Sequence, residues 1–308
     1  MSFANIKIDD PKIVSVLKGH QQPVTSLSFN PNGDQFASSS EDNSIMIWTK
    51  WSNPSETGPS YKFSGHKAAV TCLEYSSDCR LLASCSKDHT VRFWIPKILG
   101  SSKEFKAHTS AVNTVNFSPD ALKIITGSND KSIKLWDVES QKFIGSFVGH
   151  TNWVRCAKFS RLGNLIASCS DDHTIRIWDT VSGNPIHAFT ANKGSPNYIA
   201  MHSNNHTIAV ALNTGVVRIY DIKNHKLLQH YSLHNNATSL DWHPKANYLL
   251  TSGLDSKLTI VDIMEGRPLY TLSEQAGIKT CKFNLDGNFF ASGGSDNCVV
   301  VWKTNFIG

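Results

Sequence analysis

The chain has 308 residues, of which 40% are hydrophobic and 18% charged, with a formal net charge of +5. That composition supports a sizeable core, as one large domain or two smaller ones, and excludes a disordered or coiled-coil chain. The positive charge is spread without a basic block, so it forms no patch for nucleic acid, and docking on an acidic partner is permitted without being demanded.

Taken in order, the chain starts MSFANIKIDDPK, which has no apolar stretch between a basic flank and a cleavage site and so does not read as a secretory signal. Apolar runs are short, CVVVW near the end being typical, and none has the length of a membrane-spanning helix. The segment Ile13 to Leu17, IVSVL, is a short strand ahead of the first repeat.

From His20 onward one pattern recurs on one ruler. His20, Ser38, Asp42 and Trp48 are followed at the same spacing by His66, Ser84, Asp88 and Trp94. Next come His108, Thr126, Asp130 and Trp136, then His150, Ser168, Asp172 and Trp178. The residue closing each unit falls at Trp48, Trp94, Trp136, Trp178, Tyr220, Val261 and Trp302, in steps of 46, 42, 42, 42, 41 and 41 residues. A period of about 40–45 residues with a GH…WD signature reads as WD40 repeats with four strands per propeller blade. The expectation is an all-β, seven-bladed propeller occupying residues 1–308 as a single domain.

Each unit reads as strands. VNTVNFS, KIITGS, SIKLWDV and KFIGSFV are short, rich in β-branched and aromatic residues, and separated by turn residues. Ile133 and Leu135 flank Lys134, Ile175 and Ile177 flank Arg176, and Val217 and Ile219 flank Arg218, the period-two alternation of a pleated strand. SPDA, SRLGN and LDGN are turns between first and second strands; NDKS and DDHT are turns between second and third. The first unit carries TKWSNPSETGPSYKF between its third and fourth strands, which reads as a surface loop. The fifth unit is the most degenerate, with Asn192, Val210, Thr214 and Tyr220 in the four slots. The sixth keeps His234, Thr251 and Asp255 but closes on Val261; the seventh keeps Ser292, Asp296 and Trp302 but has Glu274 in the His slot. Because the sequence stops six residues after Trp302, the seventh unit has no fourth strand of its own, and Ile13 to Leu17 is expected to supply it, beside the third strand of that blade.

Ser, His and Asp recurring together raise the question of a hydrolase. A triad needs one exposed nucleophile, a base within reach and an oxyanion hole. Here the set occurs intact four times, each with a Trp, which fits structure better: a buried indole N–H needs an acceptor, and a Ser or Thr hydroxyl can take it and pass the chain on through His to Asp. No GxxxxGK[ST], HExxH or GxSxG is present. His89, His173, His225 and His243 lie outside the network slots, read as solvated turn residues, and show no metal-ligand spacing. The seven cysteines form no CxxC and read as free buried thiols, with Cys72, Cys156, Cys85 and Cys169 in small-residue packing slots. The expectation is therefore no catalytic site, no metal and no cofactor.

Function then rests on surface. Trp153, Arg155 and Asp171 of the fourth unit fall where loops surround the channel, and Trp153 occupies a position held by Pro, Ala, Ser, Asn or Gly elsewhere. Trp and Arg are the types most enriched at binding hot spots. Lys87, Asn113, Asn129, Glu41 and Lys279 hold corresponding positions on neighbouring units, the Lys and Glu reading as solvated.

Several stretches together, FSGHKAAVTCLEYS, NWVRCAKFS, KLLQHYSLH, DIMEGRPLYTL and FFASGGSDNCVVVWKTNF, resemble the propeller of the proteome-of-centriole family of WD40 proteins. LLQHY and MEGRPLYTL lie outside the generic repeat pattern and are its more specific part. The resemblance implies a non-catalytic scaffold that supports microtubule triplets of centrioles and basal bodies, and so cilia, with tubulin and centriolar components as partners, in the cytoplasm and cytoskeleton. It also implies a family whose members typically continue into a linker and a coiled coil, while the charge spread and the short apolar runs lead to the expectation of a monomeric propeller with neither nucleic acid nor membrane as partner. The rival expectation is a WD40 adaptor or substrate receptor in a ubiquitin ligase, chromatin or ribonucleoprotein complex.

Overall fold

The computed structural model describes residues 10–51, 60–96, 102–191 and 193–305. The first nine residues of the start segment, most of the first unit's insertion, and Asn192 lie outside the described residues. All described secondary structure is strand, in seven antiparallel four-stranded sheets. No helix among the described residues is long and apolar enough to cross a membrane.

The period-two alternation sets up each blade. In the third strand of blade four, Thr174–Asp179, Ile175 and Ile177 are fully buried while Arg176 between them is half-buried. Blade four follows chain order through Val154–Phe159, Leu165–Ser170, Thr174–Asp179 and Pro185–Thr190. Blade seven does not. Its sheet runs Ile278–Phe283, Phe289–Gly294, Cys298–Lys303 and then Lys12–Lys18, with Ile13 opposite Trp302 and Leu17 opposite Val299. The expected closure is observed, and the innermost strand of blade one packs against those of blades two and seven, completing the ring.

The core lies between blades. Ile175, Ile177 and Phe189 of blade four pack with Ile199, Ile208 and Val210 of blade five. At the closure, Val24, Phe29 and Trp48 of blade one pack with Ala291, Val299 and Val301 of blade seven, and Val14 and Leu17 cover them. A single blade leaves apolar faces bare, so each is stabilised only by its neighbours.

Four sequence expectations need correction here. In the first unit's insertion, Trp51 is only 4% exposed, set edge-on against Phe29, Phe36 and Phe289, and Ser60–Ser64 is the blade's fourth strand rather than loop. An indole has too much apolar surface to leave beside the gap between blades one and seven. His243 is buried rather than solvated, its Nδ1 accepting from the N–H groups of Lys245 and Ala246 and its ring edge-on to Phe283. The Cys72 and Cys156 slot is not small in every blade, since Tyr198 fills it in blade five. All seven cysteines are unpaired, with Cys79 and Cys298 half-buried rather than buried.

The turn between second and third strands repeats around the ring. The residue after the turn Asp has φ between 63° and 72° at Asn43, His89, Lys131, His173, Ser256 and Asn297. In five blades the Asp carboxylate accepts the N–H two residues on, as from Ser44 at 3.0 Å, which holds that left-handed residue in place. Blade five has Thr214 instead of Asp, and Gly215 takes the left-handed position at φ 79°. A Cβ there would stand 1.7 Å from the His234 carbonyl oxygen. Gly215→Ala is therefore expected to cost more than about 2 kcal/mol, by strain and loop displacement together, measurable by urea unfolding.

Candidate functional site

Each intact unit forms a hydrogen-bonded relay. In blade four the Trp178 indole N–H donates to Ser168 Oγ at 2.8 Å, Ser168 Oγ lies 2.8 Å from His150 Nε2, and His150 Nδ1 lies 2.8 Å from Asp172. The same sets link Trp48, Ser38, His20 and Asp42; Trp94, Ser84, His66 and Asp88; and Trp136, Thr126, His108 and Asp130. Each Ser or Thr hydroxyl is fully buried, so it is no accessible nucleophile. Each Asp also accepts from the backbone N–H of the residue after the His, tying the loop before the first strand to the turn before the third.

Protonation follows the geometry. Burial pushes the imidazoles of His20, His150 and His234 below their ordinary value, against the pull of their Asp partners. Burial would raise Asp172, but hydrogen bonds from Thr174, the Thr151 N–H and His150 outweigh it and hold the carboxyl at about 2; Asp42 is likewise held at about 2. Both shifts stabilise the fold at neutral pH. The histidine contribution is lost as pH falls below about 6.5, and the aspartate contribution as pH falls through about 4 towards 2.

Blades five to seven depart in different ways. Blade five has no such relay among its described residues: Val210 fills the Ser slot and Tyr220 closes the strand near Arg218. Blade six keeps His234 between Thr251 at 2.8 Å and Asp255 at 3.0 Å, without an indole. In blade seven Trp302 donates to Ser292 at 3.0 Å, and the Ser292 hydroxyl donates to Glu274. No imidazole separates Glu274 from Asp296. Burial, with the Asp296 charge added and the Ser292 bond opposing, raises the Glu274 carboxyl to about 7.

Around the channel mouth, the second residue of each innermost strand sets the rim. Five of the seven bridge to the next blade's innermost strand: Thr25 to Val70 O at 2.6 Å, Thr71 to Val112 O at 2.5 Å, Asn113 to Val154 O at 2.7 Å, and Asn197 and Thr238 to Ala237 O and Ile278 O at 2.8 Å each. The exceptions are the charged ones. Arg155 makes a two-pronged pair with Asp171, at 2.8 and 2.5 Å, and its guanidinium lies 5.2 Å from the centre of the Trp153 ring. Lys279 pairs with Glu41 at 2.7 Å across the boundary between blades seven and one, so these two are engaged rather than solvated as expected. Asn113 donates to Asn129 at 2.7 Å, whereas Lys87 is exposed. Trp153 is 45% exposed although its neighbours are ordered by these pairs. Sequence reasoning missed the bridging role of Thr25, Thr71, Asn197 and Thr238; a hydroxyl or amide at the second innermost position in five units is the signal that could have found it.

Further in, the channel wall carries Glu74, Asn116, Lys158, Asp241 and Lys282, where Lys282 pairs with Asp241 at 2.6 Å and Lys158 lies 3.7 Å from Glu74. Among the described residues no group of three or more His, Cys, Asp or Glu could hold a metal ion.

The family model for the WD domain, G-beta repeat, matches residues 11–49, 57–94, 100–137, 141–179 and 266–303, more than half of the chain. A model for eukaryotic translation initiation factor eIF2A matches 165–264, spanning parts of blades four to six. Among curated proteins, POC1 centriolar protein homolog A of Danio rerio is 49% identical over 41 residues, 13% of this chain and 10% of that protein. Pre-mRNA-processing factor 19 of Bos taurus is 26% identical over 108 residues, 34% of this chain and 21% of its own length. Cilia- and flagella-associated protein 52 of Mus musculus is 26% identical over 120 residues, 38% and 19% respectively. The matched stretches thus span at most about a fifth of these relatives.

Two substitutions test the relay. Asp172→Ala removes the acceptor for His150 Nδ1, the Thr151 and Thr174 N–H groups and the Thr174 hydroxyl, and is expected to lower stability by about 1–3 kcal/mol; unchanged thermal unfolding would sink the relay in blade four. Glu274→Gln mimics the neutral carboxyl. Raised from about 4.5 to about 7, Glu274 loses its contribution as pH rises through that window, so the variant should exceed the parent by about 1–3 kcal/mol at pH 8 and match it near pH 4.

Proposed function

Because this chain belongs to the WD domain, G-beta repeat family, we propose that it is a non-catalytic protein-interaction scaffold working at centrioles or basal bodies, with tubulin or other centriolar components as partners. We take residues 1–308 to act as one propeller unit. The observation that carries the reading is Trp153: a large aromatic ring left 45% exposed at the channel mouth, backed by the Arg155–Asp171 pair. A rigid, exposed aromatic beside an oriented guanidinium suits a partner hot spot, since little side-chain entropy remains to be lost on binding. Asn113, Asn129, Lys87, Glu41 and Lys279 complete the proposed rim. The relay residues serve this surface by stiffening the loops that carry it.

The centriolar assignment is supported by the 49% identity over 41 residues to a POC1 centriolar protein homolog, and by likeness to a cilia- and flagella-associated protein. A second reading, an adaptor in a ribonucleoprotein complex, is favoured by likeness to pre-mRNA-processing factor 19 over a longer stretch of 108 residues. Tagged protein in a ciliated cell separates the two: centriolar foci and tubulin in pulldowns support the first, nuclear ribonucleoprotein partners the second. Within the first reading, Trp153→Ala with Arg155→Ala should leave the melting temperature within a few degrees of the parent yet abolish recruitment. Full recruitment of the folded variant removes that rim from contention.

A further inference from the structure

Three residues beyond the rim position on each innermost strand, a second ring of side chains surrounds the channel. Six units place a polar residue there, Ser28, Glu74, Asn116, Lys158, Asp241 and Lys282, and the fifth places Ala200. Three of these side chains join blades. Ser28 Oγ, Asn116 Oδ1 and Asp241 accept the backbone N–H groups of Tyr75, Phe159 and Phe283 at 3.1, 2.7 and 2.8 Å. The Asn116 amide also donates to Glu74, and Lys282 donates to Asp241 at 2.6 Å.

Lys158 is different. Its side chain is only 15% exposed, and its ammonium lies 3.7 Å from the Glu74 carboxylate. Among the described residues no acceptor lies within hydrogen-bond distance of it. An ammonium carries three donors, and leaving them unmatched away from bulk water is costly. A cavity of about 140 Å³ opens at Ala200, lined also by Lys158, Tyr198, Asp241 and Lys282. Tyr198 holds a slot filled by Ser, Thr or Cys in the other blades, and its ring lies 5.9 Å from the Lys158 ammonium. The Tyr198 hydroxyl has no hydrogen-bond partner among the described residues, yet it is not sealed from solvent. Burial holds this phenol well above its ordinary range, so it keeps its proton and donates. Two unmatched donors, one of them charged, therefore converge on one small cavity.

We propose that this cavity binds a single carboxylate, held by the Lys158 ammonium and the Tyr198 hydroxyl and supplied either by a small free acid or by the C-terminus of a chain entering the channel. A carboxylate offers two acceptor oxygens to the two donors. Glu74 and Asp241 already offset Lys158 and Lys282, so a dianion such as phosphate would meet like charge without a spare cation. Three strand residues separate the ring from the rim, about 10 Å, which the last residues of an extended chain can span.

The test uses the whole chain with acetate, acetamide, chloride and inorganic phosphate at fixed ionic strength, followed by thermal unfolding and by NMR line broadening of the acetate methyl. Acetate should raise the melting temperature saturably, and the other three should not. Tyr198→Phe deletes only the hydroxyl and should weaken acetate about tenfold or more, the loss of one hydrogen bond to a charged group. Lys158→Met, which keeps an apolar stem of similar length, should remove acetate binding. A pentapeptide of Gly and Ser, with a free or an amidated C-terminus, separates the two sources. Preference for the free end, lost in Tyr198→Phe, assigns the site to a chain end; acetate binding without that preference assigns it to a free acid. Either result upholds the carboxylate site. Equal response to acetate, acetamide and chloride with no preference for the free-ended peptide overturns it, as does tighter binding of phosphate. So does acetate binding that survives unchanged in both variants. If Lys158→Met fails to fold, Tyr198→Phe decides alone.

Discussion

An indole N–H buried in a β-sheet must have an acceptor, and that constraint organises the molecule. In blades one to four the acceptor is a fully buried Ser or Thr, whose hydroxyl in turn needs an acceptor, which is His, whose second nitrogen needs Asp. An unmade bond at any point would leave a polar group buried and unsatisfied, at a cost larger than the net gain from the bond itself. The relay is thus cooperative within a blade, and its ends lie in two segments that no strand ladder holds: the loop entering the blade and the turn between its second and third strands.

Blades are joined by different means. Their contact is apolar, one face of each sheet against the next, and at the channel mouth a hydroxyl or amide on one innermost strand bonds the backbone of the next. Where that small side chain is replaced by Arg155 or Lys279, the bridge is replaced by an ion pair. For Lys279 the pair spans the boundary where the ring closes, so a contact between residues remote in sequence helps to hold blades one and seven together. For Arg155 the pair lies within its own blade and leaves Trp153 beside it at the surface. The same position therefore bridges neighbouring blades in five of them, and in the fourth it holds an ion pair beside an exposed indole.

The departures from the repeat are concentrated in blades five to seven, and each has a local compensation. Gly215 replaces the Asp-capped left-handed turn with a residue that needs no cap. Thr251 and His234 keep their bond where Val261 removes the indole. Glu274 replaces an imidazole with a carboxyl and places it near Asp296, so the relay of the closing blade is weakened as pH rises towards about 7, the opposite direction to the histidine relays. A ring of repeats tolerates such variation because each blade is stabilised mainly by its two neighbours.

The seven-fold repeat, the strand character of each unit and the donation of Ile13–Leu17 to the last sheet were all legible in the sequence. They depend on short spacings and on period-two alternation, both properties of local chain geometry. The buried place of Trp51 and His243 was not legible, because both lie in segments whose composition reads as loop, and each is enclosed partly by a residue of a neighbouring blade, Phe289 and Phe283 respectively. Nor could the sequence separate Asn113, which bridges blades, from Lys87 at the exposed rim, or show that Glu41 meets Lys279, 238 residues away. Periodicity sets which way a side chain points along its own strand; which neighbour it meets is decided only when the ring closes.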